Sequence, residues 1–311
     1  MAAALPAPRV PPEGAHGHRK GEYSGHETFQ LRYGWLKKGV DEVARGKEAF
    51  DDASMVRLGV GKNMVKAIRH WGLVARVIEE VPGSRGQCLR VTPLGQLLFA
   101  DEGFDPYLED PRSLWLVHWQ LCTHPDKAST WRWVFGEWGR ASFSRDELRA
   151  VLLSRAEGQR ASEATISRDV EVFLRTYIPA RATRVVQLED TLDSPLVELR
   201  LLREDPVEGR VEVLREARPS LDDLVLGYAV LDHWGRTAPQ RETYHLDGLL
   251  LGAGAPCRVL GLDERAFIER LEGAEHWSRG ALLYDHTAGM RQLLRRKRVE
   301  ADAWLTEALH G

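Results

Sequence analysis

The sequence predicts a mainly α-helical protein with small β-hairpins, built as winged helix-turn-helix modules around an aromatic helical core. Three observations predict it. A short helix at 62–71 separates polar from apolar residues, the first hundred residues run helix, turn, helix, hairpin, helix, and the stretch 104–140 is rich in tryptophan. The expected units are 21–103, a winged-helix DNA-binding domain, 104–206, a helical core with a second winged-helix-like module, and 207–311, a C-terminal α/β module. Ahead of them, residues 1–20 are rich in Ala, Pro and Gly and lack an apolar segment, which predicts a disordered tail and not a signal peptide.

From Tyr23 to Gly39 aromatics and bases mix in a strand or turn leading into a short helix. Asp51 or Asp52 can cap a helix that starts near Ala53, and Gly59 and Gly61 supply a turn after it. At about 100° per residue, Lys62, Asn63, Lys66, Arg69 and His70 fall on one side of the next helix. Met64, Val65, Ile68 and Trp71 fall on the other, with Gly72 just past the end. Val74, Val77 and Ile78, the turn Pro82–Gly86 and the run Cys88–Val91 read as a β-hairpin with Arg85 at its tip. Thr92 as cap and Pro93 at the first helical position open a helix through Phe99.

Further on, Trp115, Trp119, Trp131, Trp133, Phe135 and Trp138 accompany a run, 114–121, that is apolar nearly all round, the mark of a buried helix. Ser144 and Glu147 form a capping box. Ser162–Tyr177 makes another helix, with Ile166, Val170, Phe173, Leu174 and Tyr177 inside. Its outer face mixes Arg168 and Arg175 with Glu171, with Glu163 and Asp169 nearby, which suits packing or protein contact. Beyond 207, extended stretches at Val211–Leu214, Arg258–Leu260 and Gly280–Leu283 alternate with helices near 220–234, 263–273 and 287–309.

At 311 residues, 43% hydrophobic and 29% charged, the chain has the composition of a soluble globular protein with a sizeable core. A net charge of -3 excludes a protein coated with nucleic acid all over, so any DNA contact is a local patch. No acid occurs between Ala53 and Ile78, where Arg57, Lys62, Lys66, Arg69 and Arg76 fall, whereas 188–224 holds eleven acids against five arginines. Three scattered cysteines without a CxxC pair suit reduced thiols in a cytoplasm and exclude a cysteine zinc finger. No apolar run approaches the ~18 residues of a membrane span.

A cationic helix face free of acids suits a phosphate backbone. Lys62, Asn63, Lys66, Arg69 and His70 are therefore the expected DNA contacts, Asn63 being best suited to an adenine edge and Arg85 to the flanking backbone. An ordinary solvated face is the alternative. Leu58–Lys62 fails as a phosphate loop, because Val56 replaces the first glycine and Asn63 stands where Ser or Thr must bind magnesium. For chemistry, the candidates are Asp105, Glu109 and Asp110 as hard oxygen ligands, and His26 with Glu27 as a base or ligand pair. All but Glu109 have a structural alternative, and one glutamate alone is no metal site. Asp105 and Asp110 precede prolines and suit N-caps, and neighbours such as His26 and Glu27 converge only within a turn. His118 reads as a core histidine bonded to backbone, Cys122 with His124 as an incomplete ligand pair, and the tryptophans as core.

The strings GHETFQLRYGWLKKG (25–39), LGVGKNMVKAIRHWG (58–72), DPYLEDPRSLWLVHW (105–119), TISRDVEVFLRTY (165–177) and EDTLDSPLVEL (189–199) succeed one another as in a bacterial domain-of-unknown-function family. Through them the chain resembles the SspB-like family from residue 21 to 300. The resemblance implies the DNA-nicking component of a single-stranded phosphorothioation system, which replaces a non-bridging phosphate oxygen with sulfur and serves anti-phage defence. It also implies three partners: a cysteine desulfurase, an ATP-pyrophosphatase-type sulfur transferase and an ATPase. No recognised nuclease motif accompanies the strings, so the catalytic candidates remain His26, Glu27, Glu109 and Asp110, with magnesium or manganese if nicking is intrinsic. The expected protein binds double-stranded DNA in the cytoplasm and nicks one strand. On chemistry alone the residues favour the rival, a non-catalytic winged-helix adaptor or regulator that positions modification enzymes.

Overall fold

A computed structural model of the chain describes residues 22–46, 49–157, 161–180 and 194–310. The expected tail at 1–20 and the start of the 188–224 acidic stretch lie outside the described residues. The protein is mainly α-helical with small antiparallel sheets. Its first unit comprises helices α1 (Trp35–Ala44), α2 (Ser54–Leu58) and α3 (Lys62–Val74), the hairpin β1 (Ile78–Glu80) and β2 (Leu89–Val91), and α4 (Pro93–Phe99). Gly59 ends α2 in the left-handed conformation, at φ 66°. The expected end of α3 is corrected: Gly72 lies inside its last turn. A side chain there would come within 2.8 Å of Ile78, so this glycine serves helix–hairpin packing, and Val74 is helical instead of extended. The α4 cap is as expected, with Thr92 accepting from the Gly95 N–H at 3.0 Å.

The centre of the molecule is α5 (Pro111–Thr123), in which every residue from Ser113 to Thr123 is buried. It is followed by α6 (Ser129–Trp131) and a π-helical segment, Arg132–Trp138. Trp131 meets Trp71 of α3 edge to face at 5.6 Å and Phe173 at 5.3 Å, a geometry that suits the positive ring edges and negative ring faces. The tryptophan-rich stretch is thus the core that joins neighbouring units, as its composition implied. Truncating a buried tryptophan of this kind costs about 3–5 kcal/mol.

Two further units share one plan. In the second, β3 (Ser142–Phe143) precedes α7 (Arg145–Arg155) and α8 (Glu163–Tyr177), and β4 (Leu202–Glu204) and β5 (Val211–Val213) follow, in the sheet order β3-β5-β4. Ser144 and Glu147 do form a capping box at α7. The third unit contains α9 (Asp223–Thr237), β6 (Thr243–His245), α10 (Leu246–Leu250), α11 (Pro256–Val259), α12 (Glu264–Glu272) and α13 (Ala274–Trp277). It closes with β7 (Leu282–Asp285), β8 (Gln292–Arg295) and α14 (Ala301–His310), in the sheet order β6-β8-β7. In both units the last strand is central, paired antiparallel to the strand before the helices and to its own hairpin partner.

Two expectations fail in the third unit. Arg258–Leu260 is not extended, because Pro256 starts the helical turn α11 there. The helix expected over 287–309 is instead β8 followed by α14. Leu293 of β8 faces Tyr244 on one side and Tyr284 on the other and is fully buried, so central strand pairing overrides the local helical pattern. Among the described residues, no helix is long and apolar enough to cross a membrane.

Candidate nucleic-acid interface

The period of α3 puts Val65, Ala67, Ile68 and Trp71 in the core and leaves Lys62, Asn63 and Lys66 exposed. Arg69 is half-buried and tied to the hairpin, donating to Glu80 at 3.1 Å and to the Gly86 carbonyl at 3.2 Å. Arg85, at the turn, is exposed. His70 corrects the expected face. It is only 7% exposed, and burial, with the neighbouring His26 adding to it, pushes its pKa well below the usual histidine range. A neutral, covered imidazole supplies no charge to an open surface. The cover is the segment around Gly25, where a side chain would sit 2.4 Å from His70 Nδ1.

That segment is a tightly determined loop. Gly25, Glu27 and Thr28 have φ of 106°, 49° and 69°. Left-handed conformations of non-glycine residues cost about 1 kcal/mol or more each, and the surroundings repay them with hydrogen bonds. The Thr28 N–H donates to His26 Nδ1 at 3.1 Å, and the Phe29 N–H to the His26 carbonyl at 2.8 Å. His26 Nε2 meets Asp169 Oδ1 at 3.1 Å, the second Asp169 oxygen accepts from the Thr130 hydroxyl, and Arg175 donates to the Thr28 carbonyl at 2.6 Å. A neutral ring with its proton on Nε2 satisfies both His26 contacts. His26 therefore points inward at 3% exposure, while Glu27 points outward to Lys66 Nζ at 3.3 Å. The turn does not make the two converge.

Glu109 and Asp110 stand elsewhere. Asp110 caps α5, accepting from the Arg112 N–H at 2.8 Å, and its carboxylate is gripped by the Arg112 guanidinium at 2.6 Å, which lowers its pKa. Asp105 is not the helix N-cap expected, since no helix starts at Pro106; buried, it accepts the N–H groups of Glu109 and Asp110 at 2.9 and 3.0 Å and so fastens the loop ahead of α5. Glu109 is exposed. The loop at 25–28 enters beside the opposite end of α5, since Glu22 exchanges backbone bonds with Asp126 and Ser129. Thirteen helical residues, about 20 Å, lie between. The structure thus joins His26 and Glu27 to Lys66 and His70, but not to Glu109 and Asp110. Among the described residues, no group of three or more His, Cys, Asp or Glu could hold a metal ion.

The remaining candidates are structural. His118 bonds the Val259 carbonyl and the Tyr177 hydroxyl, both at 2.7 Å, and burial pushes its pKa down to about 4. Cys122 lies 3.6 Å from His118 and is buried, while His124 accepts from the Asp126 and Lys127 N–H groups. Sequence reasoning places Asp169 and Arg175 at the outer face of α8 and gives neither a part in this site, and Asp169 is in fact buried. Asp169 sits between Ile166 and Val170 on an otherwise apolar stripe, and a carboxylate there is a signal that a buried partner exists.

The chain belongs to the DUF4007 family, an SspB-like family whose description is protein of unknown function, and the family model matches residues 23–309. It is similar to a magnesium ion-bound SspB crystal structure, at 31% identity and a TM-score of 0.81 over 92% of this chain and 86% of that one. A second SspB crystal structure matches at 30% identity and a TM-score of 0.80 over the same shares. Comparison with curated proteins finds no match.

Proposed function

We propose that the chain is a DNA-binding protein of a phosphorothioate modification and anti-phage defence system, and that it nicks one strand of duplex DNA so that sulfur can be installed. Likeness to SspB along 92% of the chain supports the system. The exposed start of α3, where Lys62 and Asn63 are open and Lys66 holds a half-exposed pair with Glu27, carries the DNA-binding part. The order α2, turn, α3, hairpin matches a winged helix-turn-helix. In that arrangement α3 enters the major groove and the hairpin, through Arg85, touches the flanking backbone. Lys62 and Lys66 neutralise phosphates, Asn63 reads an adenine edge, and Arg69 reaches a phosphate by exchanging Glu80 for it. His70 supports the face from below.

Glu27 is the carboxylate beside that face, with its loop held in place by His26. Magnesium or manganese is held in many phosphoryl-transfer sites by one or two carboxylates, water and the substrate phosphate, and when bound supplies Lewis-acid activation. Glu109 is the exposed carboxylate of the expected set, and Glu27 is the one beside the α3 face, half-exposed in its pair with Lys66; each fits such a role. Asp110, already paired, positions α5. The proposed partners are the cysteine desulfurase, the ATP-pyrophosphatase-type sulfur transferase and the ATPase of such a system, in the cytoplasm. The second reading, a non-catalytic adaptor, is favoured by His26 being buried against Asp169 and Asp110 being held by Arg112.

Supercoiled plasmid incubated with magnesium or manganese tests the two. Nicking by the wild type that is lost in Glu27→Gln or Glu109→Gln supports the nickase and identifies its carboxylate. Plasmid that stays supercoiled with either metal, while duplex binding persists, establishes the adaptor. Nicking untouched by both substitutions removes these residues from the chemistry.

A further inference from the structure

We propose that α8 extends the same face, with Arg168 and Arg175 contacting phosphates of the duplex that Lys62 and Lys66 bind. The inference rests on α3 being the DNA-binding helix and adds a second helix to it. Two neighbouring residues of the 25–28 loop carry the geometry: Glu27 meets Lys66 from α3, and Thr28 meets Arg175 from α8. The loop therefore brings a cation from each helix to one place, and the buried His26–Asp169 contact ties that loop to α8.

The mixed charge of α8 argued against DNA in the sequence. Its pairing resolves the objection. Glu171 lies 3.5 Å from Arg145, which also engages Glu204, so the acid on this face is already answered from α7. Among the described residues, the exposed Arg168 has no ion pair and Arg175 bonds two backbone carbonyls, those of Thr28 and Glu171, and no acid. Seven residues apart, the two arginines share a face and stand about 10 Å apart along the axis, close to three base-pair steps of a duplex. The exposed Glu163 lies more than a turn away at the start of the helix. Within its unit, α8 holds the place that α3 holds in the first: among the described residues, the last α-helix before a hairpin.

The test is the salt dependence of binding to a 30-bp duplex, read by fluorescence anisotropy. Each phosphate contact contributes about 0.9 to the slope of log affinity against log salt. Arg168→Gln and Arg175→Gln should each flatten the slope by about 0.9, and the double variant by about 1.8. Arg175→Lys keeps the charge and should keep the wild-type slope. Arg168→Gln breaks no bond among the described residues, so its effect is free of any folding defect. A wild-type slope in the double variant, alongside a flattened slope in a Lys62→Ala, Lys66→Ala variant, overturns this inference and leaves the α3 reading standing. An unchanged slope in both overturns the two together.

Discussion

Replacing Lys62 and Lys66 by alanine tests the α3 face most directly. Both side chains are exposed, and among the described residues the acid paired with them is Glu27, whose carboxylate lies 3.3 Å from Lys66 with the lysine 54% exposed. An exposed pair of this kind is worth about 0.2–1 kcal/mol, so a phosphate displaces it readily. Two lost phosphate contacts flatten the salt slope by about 1.8 units, so raising salt from 50 to 200 mM should weaken the wild type about twelvefold more than the variant. The substitution also leaves Glu27 unpaired and facing the DNA. Adding Glu27→Gln to the variant should recover affinity without restoring the slope, and Glu27→Gln alone should tighten binding about two- to fivefold at low salt. Anisotropy titrations across that salt range read all of these. A wild-type slope in the Lys62→Ala, Lys66→Ala protein would refute the reasoning, because no other property of the two lysines produces it.

Three further outcomes follow from the interior. Burial holds His118 and His233 near pKa 4 against about 6.5 unfolded, so the unfolded chain takes up protons first as pH falls. Their contribution is complete above pH 6.5 and lost between 6.5 and 4, about 3 kcal/mol for each. Urea denaturation at pH 7 and 4.5 should show that fall, reduced in His118→Gln, and a flat profile contradicts it. Burial raises the Cys122 thiol well above its usual range and Cys257 to about 12, so the native protein should titrate one thiol, Cys88, with a mild thiol reagent. Rapid labelling of all three cysteines without denaturant would contradict that burial. Gly25→Ala forces a methyl group against His70 at a φ of 106° and should cost about 1–3 kcal/mol, seen as a lowered melting temperature. An unchanged melting temperature would mean that the 25–28 loop moves aside freely.

Much of the candidate site was legible because its causes are local. Lys62, Asn63 and Lys66 stand out on α3 because one turn of helix separates the phases of polar and apolar residues. The caps at Thr92, Asp110 and Ser144 need only residues within a turn of themselves. The tryptophans declared a core through their size and spacing.

What the tertiary structure alone decided was which polar groups meet. His70 leaves the open face because residues 45 positions earlier lie over it, and His26 finds its partner 143 positions away at Asp169. Glu80 reaches back to Arg69, Arg145 draws Glu171 aside, and a pair of flanking strands turns Gln292–Arg295 from helix into sheet. The helical period is a property of neighbouring residues, so the sequence by itself determined where α3 turns its lysines. Burial and charge pairing are properties of whatever the fold brings alongside, and only the assembled chain determined which of those charges stay open.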